Sequence, residues 1–319
     1  MRWALFLLGL GCGVAQAADP LPPQDAAAWL QRIAEASNRY AYQGVFIHQH
    51  GDRMQTLQVS NRLSVTGKES RLIGMDGAQR EVRCTRGESV SIVGGTSPRL
   101  ERRLGSRHFP DLLPPDAGRM AAWYDVRLGG IERVAGLDCQ SLTLEPKDQY
   151  RWGHILCVDK DSNLPLKAVL IDHRGRPLMQ YSFAELQIAK ATASVSAAAP
   201  RTRLATARAV PPEPPNTIVS SAVEVKQLPP GFSRVIAVKR PLAKPGIDVE
   251  HWVFSDGLTH ISLFVEPLAR DNVSLKGASQ RGMTNLRTLR VGQSQVTVVG
   301  DAPPAAVDLI TSSIEASPK

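Results

Sequence analysis

Residues 124–188 form a succession of short apolar runs cut by turns, and this pattern constrains the fold more than any other feature of the chain. The run 131–134 ends at Gly136, and 137–144 then alternates Leu142 and Leu144 against Ser141 and Thr143. Glu145-Pro146-Lys147-Asp148 turns the chain, and 150–158 returns. Residues 159–163 turn again, 164–172 run forward, Arg174-Gly175-Arg176 turns, and 178–186 run back. Period-two patterning with turn residues between short runs is the signature of an antiparallel meander. A meander this long presents one broad apolar face, which must be covered or filled.

The upstream sequence supplies a cover. Pro20 to Gln24 leads into an amphipathic helix over 26–40, with Asp25 as its N-cap and Trp29, Leu30, Ile33, Ala34 and Ser37 on one face. Strands are predicted at 42–50, 54–60, 69–73, 80–86 and 89–93. Arg99, Arg102, Arg103 and Arg107 then cluster ahead of a loop containing Pro110, Pro114 and Pro115, and a short helix over 116–123 follows. The arginines read either as a solvated basic turn or, with Trp123, as the rim of a cavity. In the second reading they would take an anionic ligand, since arginine can hold phosphate bidentately. About eleven strands and two helices over 24–188 make a sheet that curls and buries its concave face under the helices.

The C-terminal third is different. Residues 189–216 are rich in Ala, Ser, Thr and Pro without apolar periodicity, the composition of a linker. Residues 217–316 form a second, smaller α+β unit. Strands are predicted at 219–227, 233–239, 249–255, 259–266 and 296–300, a hairpin turn at Ser255-Asp256-Gly257, and a last helix over 305–315 after Pro303-Pro304. At the other end, residues 1–17 read as a secretory leader: Arg2, an apolar core, and Ala15-Gln16-Ala17 as the cleavage site. No later segment reaches the length of a membrane-spanning helix. An exported, periplasmic protein is expected. Its formal charge of +8 favours anionic partners, while 5% aromatic residues disfavour a base-stacking nucleic-acid binder.

No catalytic centre is apparent. The sequence after the leader has no G-x-S-x-G, H-E-x-x-H, phosphate-binding loop or dinucleotide fingerprint. His48 and His50 share one face of a strand, but no further metal ligand lies near them in sequence. Neither an enzyme nor a cofactor is expected. Past the leader remain Cys84, Cys139 and Cys157, and in an oxidising compartment three cysteines make one disulfide and a spare thiol. A hairpin centred on Asp148 would set Cys139 opposite Cys157, within bridging distance.

Several stretches also carry a family resemblance. The segments "YQGVFIHQHGDRMQTLQVSNR", "KESRLIGMDGAQREVRC" and "RVAGLDCQSLTLEPKDQYRWGHILCVDKDSNLPLKAVLIDHRGRPLMQYSF", with Leu228-Pro229-Pro230-Gly231-Phe232, Ser255-Asp256-Gly257 and Val298-Val299-Gly300, resemble the periplasmic regulators named RseB or MucB. The resemblance implies a LolA/LolB-like curved antiparallel half-barrel with covering helices, a linker and a smaller C-terminal α+β domain. It implies a negative regulator of the sigma-E/AlgU envelope-stress response that binds the periplasmic part of an RseA/MucA-type anti-sigma factor. Such a protein shields that partner from the first protease and is released by lipid or lipopolysaccharide fragments. Homo-oligomers are implied too. A lipid or lipoprotein carrier is the alternative function. In the C-terminal domain, Phe232, Trp252, Phe254 and Arg240 are the candidate partner contacts. The resemblance favours a Cys84–Cys139 disulfide, with Cys139–Cys157 as the alternative. One departure is visible: the family often has a tryptophan just before the Pro-Gly-Phe turn, and residues 216–231 contain none.

Overall fold

The computed structural model describes residues 19–64, 67–78, 80–85, 88–93, 99–104, 107–190, 216–217, 220–241, 248–268 and 276–317. The expected leader and nearly all of the expected linker lie outside these residues. Helix α1 (Pro23–Arg39) starts three residues earlier than predicted. Pro22 occupies the N-cap position and Pro23 the first turn, where a missing N–H costs nothing. Asp25 is therefore not the cap; it lies in the first turn, where its charge suits the helix dipole.

Eleven strands follow: β1 (Tyr40–His50), β2 (Arg53–Ser64), β3 (Gly67–Gly74), β4 (Arg80–Thr85), β5 (Glu88–Val93), β6 (Arg99–Leu104), β7 (Tyr124–Val134), β8 (Leu137–Pro146), β9 (Gly153–Asp159), β10 (Pro165–Ile171) and β11 (Pro177–Lys190). They form one antiparallel sheet in the order β6-β5-β4-β3-β2-β1-β11-β10-β9-β8-β7. Two meanders, β1–β6 and β7–β11, are thus zipped together along β1 and β11, from Tyr40↔Lys190 to His50↔Met179. Helix α1 touches β1 and β2 at the middle of the sheet and also β7 at its edge. A flat sheet could not offer both to one helix, so the sheet curls around it. The helix inserts Ala26, Leu30, Ile33 and Ala34 into a core with Phe46, Tyr124, Leu142, Leu144, Leu156, Leu166 and Phe183. Trp29 lies at the margin, covered by the Arg32 guanidinium 4.6 Å from its ring centre. The buried Asn61 donates to the carbonyls of Ser37 and Tyr40, at 2.8 and 2.9 Å, and so closes the C-terminal end of the helix. The helix predicted at 116–123 is a 3-10 turn, Ala117–Ala122, packed on α1.

The disulfide joins Cys139 to Cys157 with Cα atoms 5.4 Å apart, and Cys84 is a free thiol. The favoured Cys84–Cys139 pairing is therefore corrected. Cys84 lies on β4 and Cys139 on β8, with six strands of the sheet between them. The hairpin register is also two residues off the expected one. Cys139 faces Asp159 and Ser141 faces Cys157, so the bridge is diagonal.

The C-terminal domain contains β12 (Asn216–Thr217), β13 (Val223–Val225), β14 (Ser233–Pro241), β15 (Asp248–Ser255), β16 (His260–Pro267), β17 (Gly277–Arg281), β18 (Thr284–Val291), β19 (Ser294–Gly300), α2 (Pro304–Ser312) and β20 (Ile314–Ala316). Its main sheet has the order β12-β14-β15-β16-β19-β18-β17, and β13 pairs with β20 beside it. Ala306, Val307 and Ile310 of α2 complete a core with Ile261, Leu263, Val296 and Val298. The predicted last helix stops short because Ile314 joins a strand instead. Sequence reasoning also missed the β17–β18 hairpin. Every residue of β17 is exposed, so it has no apolar period to read.

Candidate ligand cavity and interdomain seam

The β1–β4 limb of the sheet, the end of α1 and residues 107–115 enclose a cleft of about 480 Å³. Ala34, Tyr42, Val59, Leu72, Val82, Phe109 and Leu113 give it apolar walls, and Lys68, Arg71, Arg107 and Asp111 give it charge. The alternation of β2, β3 and β4 puts these apolar residues on the same face. Across the cleft, Lys68 pairs with Asp111 and donates to the Ser37 hydroxyl at 2.9 Å, while Ser37 donates to Asp111 at 2.9 Å. Cys84 also lines the cleft. Burial pushes its thiol up; Ser70 and Lys68 pull it down and Asp111 raises it again. A thiol held protonated is a poor nucleophile, so Cys84 is a wall residue. Burial likewise pushes the Tyr42 phenol well above its ordinary value, with Asp111 and Cys84 adding to it. The cleft has the size and the mixed lining of a site for a small amphiphile.

Of the residues expected at the rim, Arg107 and Trp123 separate. Arg107 lines the cleft and is exposed. Arg99, Arg102 and Arg103 lie on β6, the outer strand of this limb, facing Val93, Val90 and Ser89. Trp123 is not at the cleft. It lies between the two domains, against Gly231 and Arg151. The expected partner contacts need correction too. Phe232, Trp252 and Phe254 are 7%, 4% and 2% exposed and form the C-terminal core, so they present no docking surface. Alternation along β15 turns Trp252 and Phe254 inward, Phe232 enters from the turn before β14, and their bulk is what fills the domain. Arg240 lies on β14 opposite Val249. His48 stacks on Tyr181, with ring centres 4.5 Å apart. Among the described residues, no group of three or more His, Cys, Asp or Glu could hold a metal ion, and no helix is long and apolar enough to cross a membrane.

Sequence reasoning did not anticipate the seam between the domains. Its centre is Arg151, in the turn after β8, with a side chain 0% exposed. The guanidinium lies 3.4 Å from Asp148 and 3.4 Å from Asp256, donates to the Pro230 carbonyl, and stacks among Trp123, Tyr124 and Phe232, whose ring centres are 5.2, 5.8 and 5.5 Å away. Asp256 belongs to the C-terminal domain, and its other oxygen accepts the Leu258 and Thr259 N–H groups at 3.0 and 2.8 Å. Gly231 has φ +79°, and a Cβ there would lie 2.5 Å from the Trp123 ring, so the Pro-Gly-Phe turn fits this site only as glycine. Burial pushes the Tyr124 phenol well up, with Asp256 raising it and Arg151 lowering it. Elsewhere on the seam, Met283 packs with Trp152 and Leu170 across the boundary, Tyr150 packs on the C-terminal core, and Leu258 packs on the N-terminal one. The sequence signal was present in part, because Tyr150–Gly153, Leu228–Phe232 and Ser255–Gly257 were among the stretches that carried the resemblance.

Comparison with known proteins agrees with this two-domain layout. The family models for the MucB/RseB N-terminal domain and the MucB/RseB C-terminal domain match residues 25–207 and 218–315. The chain is 32% identical to the sigma factor AlgU regulatory protein MucB of Pseudomonas aeruginosa, over 98% of both chains. It is 26% identical to the sigma-E factor regulatory protein RseB of Escherichia coli K12, over 90% of both. A solved complex of Pseudomonas aeruginosa MucA and MucB aligns with a TM-score of 0.72 at 29% identity, covering 92% of this chain and all of that one. Two matching domain models in the right order, with near full-length relatives, place this chain in the MucB/RseB family.

Proposed function

We propose that this protein regulates an envelope-stress sigma factor from the periplasm. It binds the periplasmic segment of a MucA-type, membrane-spanning anti-sigma factor and shields it from the first protease, so the sigma factor stays sequestered. The observation that carries this reading is the alignment of both domains with MucB solved in complex with MucA. The relatives are named regulatory proteins, and the protein acts by binding rather than by catalysis. The cleft gives the reading a signal. An amphiphile with an acyl chain against Tyr42, Val59 and Leu72 and an anionic group near Arg107 and Lys68 fits its lining. Such a ligand favours release only to the extent that it binds the free conformer better than the partner-bound one.

The test is a binding titration of residues 18–319 with the periplasmic segment of the anti-sigma factor from the same organism, repeated with lipopolysaccharide fragments. One-to-one binding in the micromolar range or tighter, protection of the segment from site-1 cleavage, and displacement by the fragments are expected. Absence of binding, with lipid still captured, refutes the regulator and leaves a carrier as the better account.

A further inference from the structure

We propose that residues 107–115 transmit occupancy of the cleft to the interdomain seam, with Pro114 as the contact that passes it on. The inference rests on the cleft being a ligand site, as proposed above. This short segment is shared by the two places that matter. Arg107, His108, Phe109, Asp111, Leu113 and Pro115 line the cleft, while Pro114, between two of them, turns the other way. It meets the C-terminal domain at Gly257, where a Cβ would lie 2.7 Å from the Pro114 ring. Gly257 has φ +107°, so the Ser255–Gly257 turn is shaped to let that proline approach. The contact is one residue from Asp256, the partner of Arg151, and one from Leu258, which packs into the N-terminal core. Arg107 adds a second link, acting electrostatically on His260 just beyond the same turn.

The segment is also held in a way a ligand can disturb. On its cleft side, Asp111 takes hydrogen bonds from Ser37 and Lys68, and the Pro115 carbonyl accepts from Gln31 at 2.9 Å. An anionic group entering beside Lys68 competes with Asp111 for that ammonium. Like charges in one partly buried site repel, and the carboxylate anchoring the segment is displaced. Movement of Asp111 is movement of the chain three residues from Pro114, and Gly257 packs directly on that ring. An element that two sites both bias is the physical requirement for coupling between them.

Hydrogen–deuterium exchange on residues 18–319, with and without dodecyl phosphate as a single-chain anionic probe, tests this. The probe is expected to change exchange at 107–115 and, by about fivefold or more, at 255–259. Pro114→Ala, which alters no residue of the cleft wall, keeps the first change and loses the second. Exchange that changes at 107–115 but not at 255–259 in the unaltered chain overturns the coupling and leaves the cleft standing as a ligand site. A response at neither segment overturns the ligand site and the coupling together. Persistence of both responses in Pro114→Ala overturns the route.

Discussion

Replacing Arg151 with alanine isolates the chemistry of the seam. The guanidinium is fully buried, and Asp256 opposite it is 1% exposed. Removing one member of a buried ion pair leaves the other uncompensated, which costs about 3–5 kcal/mol. Asp256 keeps its two backbone N–H donors on one oxygen, so the expected loss is at the lower end, about 3 kcal/mol. Arg151→Lys keeps the charge but loses the planar contact with Trp123 and Phe232, and about 1–2 kcal/mol is expected. Arg151→Ala combined with Asp256→Asn relieves the stranded charge, so the double variant is expected to be about 1–2 kcal/mol more stable than the two single losses imply. Urea unfolding followed by tryptophan fluorescence reads all three, since Trp123 and Trp252 lie on either side of the seam. X-ray scattering reports whether the domains separate. A loss under about 1 kcal/mol for Arg151→Ala, or strict additivity in the double variant, refutes the claim that a buried charge pair holds the domains together.

Three further outcomes are expected. Without reductant, denatured residues 18–319 should show one titratable thiol, lost in Cys84→Ser; Cys139→Ser with Cys157→Ser should lower stability by about 3 kcal/mol, as expected for a bridge over 18 residues. The Nε2 of His154 is buried against the edge of Tyr124, although the residue keeps some exposure, and burial pushes its pKa down to about 4. The unfolded chain therefore takes up this proton below about pH 6.5 while the folded chain resists it, so stability falls from pH 6.5 towards 4 by at most about 3 kcal/mol, and His154→Gln should flatten the urea-midpoint profile there. Leu30→Ala, at a position 0% exposed where α1 meets the sheet, should cost about 3 kcal/mol by thermal or urea unfolding; a loss under about 1 would mean the helix is not a required cover.

Much of the architecture was legible because it follows from short-range rules. Alternation of Leu142 and Leu144 against polar neighbours, with turn residues between runs, required a meander. The stripe Leu30, Ile33, Ala34 required a cover for it. Arg107 was read either as part of a solvated basic turn or as part of a cavity rim, and a choice between the two needed the fold that sets it beside the cleft. Residue type alone was a poor guide to the aromatic positions. Phe232, Trp252 and Phe254 could serve as surface anchors or as core, and only the packing around β15 and the turn before β14 decides between the two.

Local sequence thus determined most of the elements and the family. The three motifs Tyr150–Gly153, Leu228–Phe232 and Ser255–Gly257 stood out individually. Their meeting around one buried guanidinium was a tertiary decision, because Tyr150–Gly153 lies more than 70 residues before the other two and no periodicity spans that separation. The disulfide followed the same division: composition called for one bridge and a spare thiol, the hairpin brought Cys139 and Cys157 within reach, and only the breadth of the curled sheet, six strands between β4 and β8, excluded Cys84. Period and propensity act over a few residues, whereas burial of a charge and the closing of a sheet depend on what the rest of the chain brings alongside.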